Sequence, residues 1–143
     1  MRVRPATAAD APALAAVFEA WGHAQPAEVI RERLETWGGT PLAAVLVAER
    51  DETVAGVVAV SASPHLARPG RFARLAGLAV HRDHRRRGVA TALVRAAEDL
   101  ARTWDCDRLE LTSTRSRAEA PGFYAALGYE DRSARQARYV RPL

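Results

Sequence analysis

The apolar pattern of this sequence changes its period abruptly at Gly88. Before that point, residues 72–80 (FARLAGLAV) have the length and composition of a buried strand. After it, apolar residues recur every three or four positions, as on one face of a helix, at Val89, Leu93, Ala97, Leu100 and Trp104. Between the two lies HRDHRRR, with four arginines, two histidines and one aspartate. The sequence therefore predicts a strand, a short basic loop and a helix in direct succession.

The basic loop has the character of a local anion site. Residues 81–87 carry a net charge of +3, against a formal +4 for the whole chain. The following helix begins with unpaired N–H groups and the positive end of its dipole, and Gly88 and Ala90 are small enough for a ligand to approach the backbone. A chain without lysine cannot contain a P-loop, and the Rossmann glycine pattern is also missing. We therefore expect a phosphate or diphosphate site of another type.

The remaining pattern predicts a mixed α/β fold, with a single domain over residues 1–143 and a largely antiparallel central sheet flanked by helices. Gly77 marks a bulge or a close approach within the third long strand. Predicted strands cover residues 2–5, 43–49, 54–61, 72–80 and 107–112, with a polar turn, RDET, joining the second and third. Predicted helices start near Ala8 after the capping residue Thr7, run from about Pro26 to Trp37, follow Gly88, and cover about 119–127 with Gly128 as cap. A loop rich in Ser, Thr and Arg follows residue 112, and the tail from Tyr129 predicts a closing hairpin.

Two segments resemble the GNAT acetyltransferase superfamily, and the resemblance extends over essentially the whole chain. LAVHRDHRRRGVATALV is similar to the family's acetyl-CoA loop, and FYAALGYE, whose Phe123 comes about 35 residues after Gly88, is similar to its C-terminal signature. The resemblance implies acetyl-CoA as acetyl donor, no metal, and a sheet whose middle strands splay apart.

The same resemblance assigns the residues that hold the coenzyme. Arg85 occupies the first polar position of the motif, and the diphosphate is held by the backbone amides of Arg86, Arg87, Gly88, Val89, Ala90 and Thr91. The pantetheine arm pairs like an extra strand with Leu78, Ala79 and Val80. Many relatives have an asparagine after the next strand, and Ser113 stands there with a hydroxyl in its place.

The family chemistry is direct attack of a primary amine on the thioester, without an acyl-enzyme. Tyr124 stands where the family has its general acid, and a phenol is protonated at neutral pH. Backbone N–H groups near residues 78–80 are the expected oxyanion donors. The base stays open between Glu110 and a chain of waters. Cys106, the single cysteine, is not needed as a nucleophile and excludes a disulfide within one chain.

Three classes of function stay open. The first is an N-acetyltransferase, which we expect to be a bacterial enzyme. The single cysteine favours a reducing cytoplasm, and no membrane span or signal peptide is recognisable. The second is a domain that binds acyl-CoA as a sensor without turnover. The third is a nucleic-acid-binding domain, which the missing aromatic platform disfavours. The acceptor amine is not specified, Trp21 and Trp37 either pack in the core or border its pocket, and the resemblance allows a homodimer.

Overall fold

The computed structural model describes residues 1–114 and 117–143. The predicted loop after residue 112 therefore lies partly, at 115 and 116, outside the described residues. Contacts divide the chain into two compact units, Met1–Leu111 and Thr112–Leu143. The single domain over residues 1–143 stays a prediction.

The first unit contains five strands and three helices. The strands are β1 (Arg2–Pro5), β2 (Ala43–Arg50), β3 (Thr53–Pro64), β4 (Arg71–Val80) and β5 (Cys106–Glu110). The helices are α1 (Ala11–Trp21), α2 (Ala27–Gly38) and α3 (Val89–Thr103), with 3-10 turns at Ala8–Asp10 and Arg82–His84. Among its described residues, the second unit contains one short helix, α4 (Ala120–Ala126). Within the described residues, no helix has the length and apolar character that crossing a membrane requires.

The sheet follows the chain in the order β1-β2-β3-β4-β5. The first four strands pair antiparallel, and β5 pairs parallel with β4. The sheet is therefore mixed and largely antiparallel, which confirms the predicted class. One of its faces packs on α1 and α2, and the opposite face packs on α3.

The hairpin of β2 and β3 forms as the RDET turn predicts. Arg50 pairs with Thr53, and the two residues between them, Asp51 and Glu52, have φ angles of +50° and +60°. Two consecutive left-handed residues are the geometry of a type I′ turn, which matches the twist of the flanking strands.

Gly77 fulfils both expectations stated for it. The register of β3 and β4 jumps from Ala59 opposite Gly77 to Val60 opposite Leu75, so that Ala76 is an extra, bulged residue. A Cβ on Gly77 would also lie only 2.6 Å from Cη2 of Trp21. The glycine therefore lets the α1 indole pack directly on the strand beside the bulge.

One prediction was wrong. The described tail, residues 129–143, contains no strand: its arginines recur every third residue (Arg132, Arg135, Arg138, Arg141), which breaks the two-residue alternation a half-buried strand requires. Its apolar Tyr139, Val140 and Leu143 are exposed.

The first helix starts at Ala8 after the N-cap residue Thr7, as predicted. Its first turn, residues 8–10, is 3-10, the Asp10 carboxylate accepts the Thr7 N–H, and the α-helical part continues directly from Ala11.

A charged network joins β1, this turn and β2. The Arg4 guanidinium donates to both carboxylate oxygens of Asp10, at 2.8 and 2.9 Å, and through Nε to Glu49 at 2.8 Å. Asp10 is buried, with 6% exposure, and is the buried charged residue among residues 1–114 and 117–143. The hydrogen bonds from Arg4 lower the pKa of Asp10 below its ordinary value of 3.8, although burial opposes this.

We predict that Asp10→Asn lowers the free energy of unfolding at pH 7 by about 2 kcal/mol, because Arg4 then lacks its main counter-charge. The folded-state pKa of Asp10 is lowered, so its contribution is full above pH 3.8 and is lost as the pH falls through the lowered value. Urea unfolding of the wild type and the variant should therefore differ at pH 7 and converge in acid. Asp99→Asn removes an exposed pair with Arg102 and should change neither curve. Curves that stay separated by the same amount at all pH values would contradict the ion-pair account.

Candidate active site

The first turn of α3 presents backbone donors without partners inside the helix. The first intrahelical bond runs from the Ala92 N–H to the Gly88 carbonyl at 3.0 Å. The N–H groups of Val89, Ala90 and Thr91 precede that bond, and no side chain caps them. Gly88 has a φ of +77°, and a Cβ placed on it would meet nothing within 4 Å. The predicted anion site is therefore an open helix N-terminus.

The loop that leads to this turn has a defined backbone. The Asp83 N–H donates to Nδ1 of His81 at 3.1 Å, and the His84 N–H donates to the His81 carbonyl at 3.0 Å. Arg86 has a φ of +58°, which is a sparsely populated conformation for a residue with a side chain. Left-handed residues at 86 and 88 turn the chain sharply, and such turns are typical of backbone sites that bind anions.

The arginines of the loop are exposed, and Arg85 has a long-range contact. Its Nη2 donates to the carbonyl of Ala20, near the end of α1, at 3.2 Å. Arg82 and Arg87 are also exposed. The predicted residues 85–91 thus form one continuous loop and helix start, with an uncapped first turn and with the Arg85 side chain in contact with α1.

The strand before the loop has an open edge. The last ladder pair of β4 and β5 joins Arg74 and Glu110, and β5 ends there, whereas β4 continues to Val80. This divergence is the predicted splay. The His81 N–H bonds the Ala55 carbonyl at 2.8 Å, and hydrogen-bonded pairs alternate along an antiparallel ladder. Ala79 therefore turns its backbone groups to β3.

The same alternation directs the backbone groups of Leu78 and Val80 away from β3, toward the splay. Of the three predicted pantetheine partners, two thus offer N–H and C=O groups at the open edge, whereas Ala79 is engaged within the sheet. This edge runs directly into the loop and helix start described above.

Gly56 lets α3 approach β3 closely, a contact absent from the sequence-based predictions. A Cβ on Gly56 would lie 2.8 Å from the Ala79 carbonyl oxygen, 2.9 Å from Val89 and 3.0 Å from Leu93. The start of α3 therefore packs against bare backbone of β3. A glycine inside the apolar run VAGVVAV was the available signal, because a strand glycine marks a close approach.

Glu110 lies at the point where β4 and β5 diverge. Its carboxylate is 3.8 Å from Nη1 of Arg74 and 3.5 Å from Nη2 of Arg108, and it is partly exposed. Arg74 of β4 pairs with Ser61 of β3. The side chains of Ser61 and Ala59 lie on the same face of β3, and Gly77 pairs with Ala59. The Glu110 carboxylate therefore lies on the face of the sheet that packs on α1.

In the second unit, Tyr124 is half-buried within α4. Its ring packs edge-on against Phe123 at 5.0 Å and Tyr129 at 5.8 Å, and Gly128, with a φ of +94°, caps the helix as predicted. Burial raises the pKa of Tyr124, and the positive charge of Arg117 partly opposes this. The phenol is thus protonated at neutral pH. Ser113 is exposed and lies outside the helices and strands.

The remaining candidates have other surroundings. Burial, as the main cause, raises the pKa of the Cys106 thiol, and a protonated thiol is a poor nucleophile. Nε2 of His65 lies 3.0 Å from the Asp107 carboxylate, at the end of the sheet where β4 begins. Among residues 1–114 and 117–143, no three His, Cys, Asp or Glu side chains gather as a metal-ligand set.

Comparison with known proteins identifies the family. The model of the acetyltransferase (GNAT) family matches residues 11–129, so the chain belongs to this family. No curated protein matches the sequence at a significant level.

Solved structures share the fold at low sequence identity. A protein of Agrobacterium tumefaciens assigned to the acetyltransferases has a TM-score of 0.87 and 18% identity, covering 99% of this chain and 100% of its own. A ribosomal-protein-alanine N-acetyltransferase of Brucella melitensis reaches 0.78 and 22%, covering 99% and 98%. An aminoglycoside 6'-N-acetyltransferase of Acinetobacter haemolyticus reaches 0.78 and 20%, covering 100% and 99%.

We predict that Gly56→Ala lowers the free energy of unfolding by about 1–3 kcal/mol, because the added methyl must push α3 away from β3. Gly38→Ala is the matched control: it lies at the end of α2 and a Cβ there meets nothing within 4 Å. That change should be neutral or slightly stabilising. Chemical denaturation measures both variants, and equal effects would contradict the close approach at Gly56.

Proposed function

We propose that this chain is an acetyl-CoA-dependent N-acetyltransferase that acetylates a primary amine by direct attack. The observation that carries the proposal is the continuity of two sets of backbone groups: the open edge of β4 at Leu78 and Val80, and the uncapped first turn of α3. An extended arm that ends in a diphosphate fits such an arrangement, because the arm adds to the sheet and the diphosphate meets the helix N-terminus.

The diphosphate accepts hydrogen bonds from the amides of Val89, Ala90 and Thr91, with the amides of residues 86–88 completing the turn. These donors are fixed by the backbone and cannot be lost through side-chain rotation. The arginines around them raise the local positive potential and speed the approach of a polyanion. Leu78 and Val80 pair with the pantetheine arm, and the Ser113 hydroxyl is a further contact.

The transfer forms one bond and breaks another. The nitrogen lone pair of the amine attacks the thioester carbonyl carbon, and backbone N–H groups near residues 78–80 stabilise the negative charge on its oxygen. The carbon–sulfur bond then breaks, and the departing sulfur takes a proton from the Tyr124 hydroxyl. The attacking nitrogen loses a proton to a base, so the products are an acetylated amine and the free thiol.

Two observations support the assignment of acid and base. The raised pKa of Tyr124 keeps its proton available at neutral pH. Glu110 is the carboxylate at the apex of the splay, on the face that packs on α1. We assign Tyr124 as general acid, and for the base Glu110 competes with a chain of waters.

The acceptor is a primary amine on the α1 side of β4, where Trp21 packs on Gly77. One structural neighbour is named for an alanine of a ribosomal protein and another for aminoglycosides. The wall at α1 is aromatic, with Phe18 and His23 in edge contact with Trp21. The proposed location is the cytoplasm, where acetyl-CoA is available and the single cysteine stays reduced.

We predict that coenzyme A stabilises the protein against heat, by about 2.7 kcal/mol at a hundredfold excess over its Kd. Gly88→Ala should weaken coenzyme binding about tenfold or more, because a methyl at the open turn occupies the space of the diphosphate. Gly70→Ala is the control, since Gly70 has the same left-handed conformation, with a φ of +89°. Thermal shift and calorimetry measure both. An unstabilised wild type, or steeply salt-dependent RNA binding instead, would support the nucleic-acid alternative.

We predict that an amine screen with acetyl-CoA and thiol detection finds turnover, and that Tyr124→Phe lowers kcat by about 10²–10⁴-fold with unchanged coenzyme affinity. Glu110→Gln should lower kcat/KM if the carboxylate is the base, and should leave it unchanged if waters take the proton. Tyr139→Phe removes an exposed hydroxyl and serves as control. Tight coenzyme binding without turnover of any amine, and without an effect of Tyr124→Phe, would favour a sensor domain.

A further inference from the structure

The Arg85 side chain connects two parts of the fold that are 65 residues apart in sequence. It starts in the loop before α3, and its Nη2 donates to the Ala20 carbonyl at 3.2 Å. No pattern in the sequence predicts this contact, because an exposed arginine in a basic run is ordinarily solvated.

The carbonyl groups at the end of α1 explain why Arg85 binds there. Gly22, with a φ of +92°, donates its N–H to the Glu19 carbonyl, and the His23 N–H bonds the Phe18 carbonyl, both at 3.0 Å. The Ala20 carbonyl is taken by Arg85. The last turn of α1 contains no basic residue of its own. The loop thus supplies the cation that complements the negative end of the helix dipole.

Trp21 follows Ala20 directly, and its indole rests on the bulged strand. A Cβ on Gly77 would lie 2.6 Å from Cη2 and 3.1 Å from Cζ2 of this indole, so the ring touches the backbone of β4. The ring also makes edge contacts with Phe18 at 5.7 Å and with His23 at 4.8 Å. A shift of the Ala20 carbonyl therefore moves the aromatic ring beside Gly77.

We propose that Arg85 is a positioning residue that couples the coenzyme loop to the acceptor side of the site. By holding the end of α1, it seats Trp21 on Gly77, and ligand binding at the first turn of α3 fixes Trp21 through the same contact. The coupling is reciprocal, so a correctly seated α1 also favours the loop conformation that binds coenzyme. This inference rests on the proposed function, because coenzyme A is the ligand that occupies the loop.

The contact to α1 distinguishes Arg85 from the other arginines of residues 81–87. Arg82 has the same charge, is also exposed and lies three residues away, but the contact to α1 belongs to Arg85. Removing either guanidinium removes the same formal charge from the loop. A difference in the Trp21 response between the two variants at saturating coenzyme A therefore reports the contact to α1.

The fluorescence of Trp21 itself reports whether the ring responds to coenzyme binding. The chain has three tryptophans, and the background variant Trp37→Phe/Trp104→Phe leaves Trp21 alone. Coenzyme A is added to this background and to the same background with Arg85→Ala or Arg82→Ala. Calorimetry measures binding, and the emission maximum and acrylamide quenching of Trp21 measure the response of the ring. If the double replacement unfolds the protein, hydrogen exchange at the Gly22 and His23 amides of the chain with all three tryptophans gives the same readout.

We expect coenzyme A to shift the Trp21 signal in the background and in Arg82→Ala. At saturating coenzyme A, the Trp21 signal of Arg85→Ala should not respond, and because the coupling is reciprocal, its affinity for coenzyme A should fall by about fivefold or more. An equal response in all three forms would overturn the coupling. Weaker binding by Arg85→Ala with a Trp21 response that persists at saturating coenzyme A would overturn the coupling and show a direct phosphate ligand instead.

The experiment also separates this inference from the proposed function. Binding of coenzyme A without any Trp21 response overturns the coupling and leaves the transferase proposal intact. Failure of every form to bind coenzyme A overturns both.

Discussion

The structure depends on backbone hydrogen-bonding groups that the fold leaves open on one side. A buried N–H or C=O without a partner is costly, so sheets and helices usually pair them completely. Here β5 ends at Glu110 while β4 continues to Val80, and α3 begins without a side-chain cap. The two open regions adjoin through the loop of residues 81–88. Divergence of the strands, the bulge and the position of α3 all serve to keep these groups accessible and correctly directed.

Two glycines on opposite faces of the sheet keep the helices close to this open edge. Gly56 lets the first turn of α3 approach β3, and Gly77 lets the Trp21 indole approach β4 from the other side. A side chain at either place would force the packed neighbour to shift, because its Cβ would lie 3.0 Å or less from that neighbour. Backbone donors act over short distances. The geometry of the site therefore depends on the packing of α1 and α3 against the sheet, and not on the charged loop alone.

The sequence predicted local features well and distant contacts poorly. The period change at Gly88, the RDET turn and the glycine at 77 each act within a few residues, and the structure confirms the elements they predict. The tail hairpin failed because Tyr129–Leu143 contains apolar residues that no pattern of period two organises. The Arg85–Ala20 contact and the packing at Gly56 arise from the meeting of segments far apart in sequence, which periodicity does not encode. Tyr124 and Ser113 were assigned through the family motif, and their roles stay proposals.

The bulge at Ala76 fixes how many residues β4 must have. Side chains alternate between the faces of a strand, and one additional residue reverses the parity of everything after it. With Ala76 present, Gly77 and Ala79 face α1, while Leu78 and Val80 turn their backbone groups to the splay. Related chains can therefore exchange many side chains along this strand, but insertion or deletion of a single residue would exchange its two faces and direct the wrong amides outward.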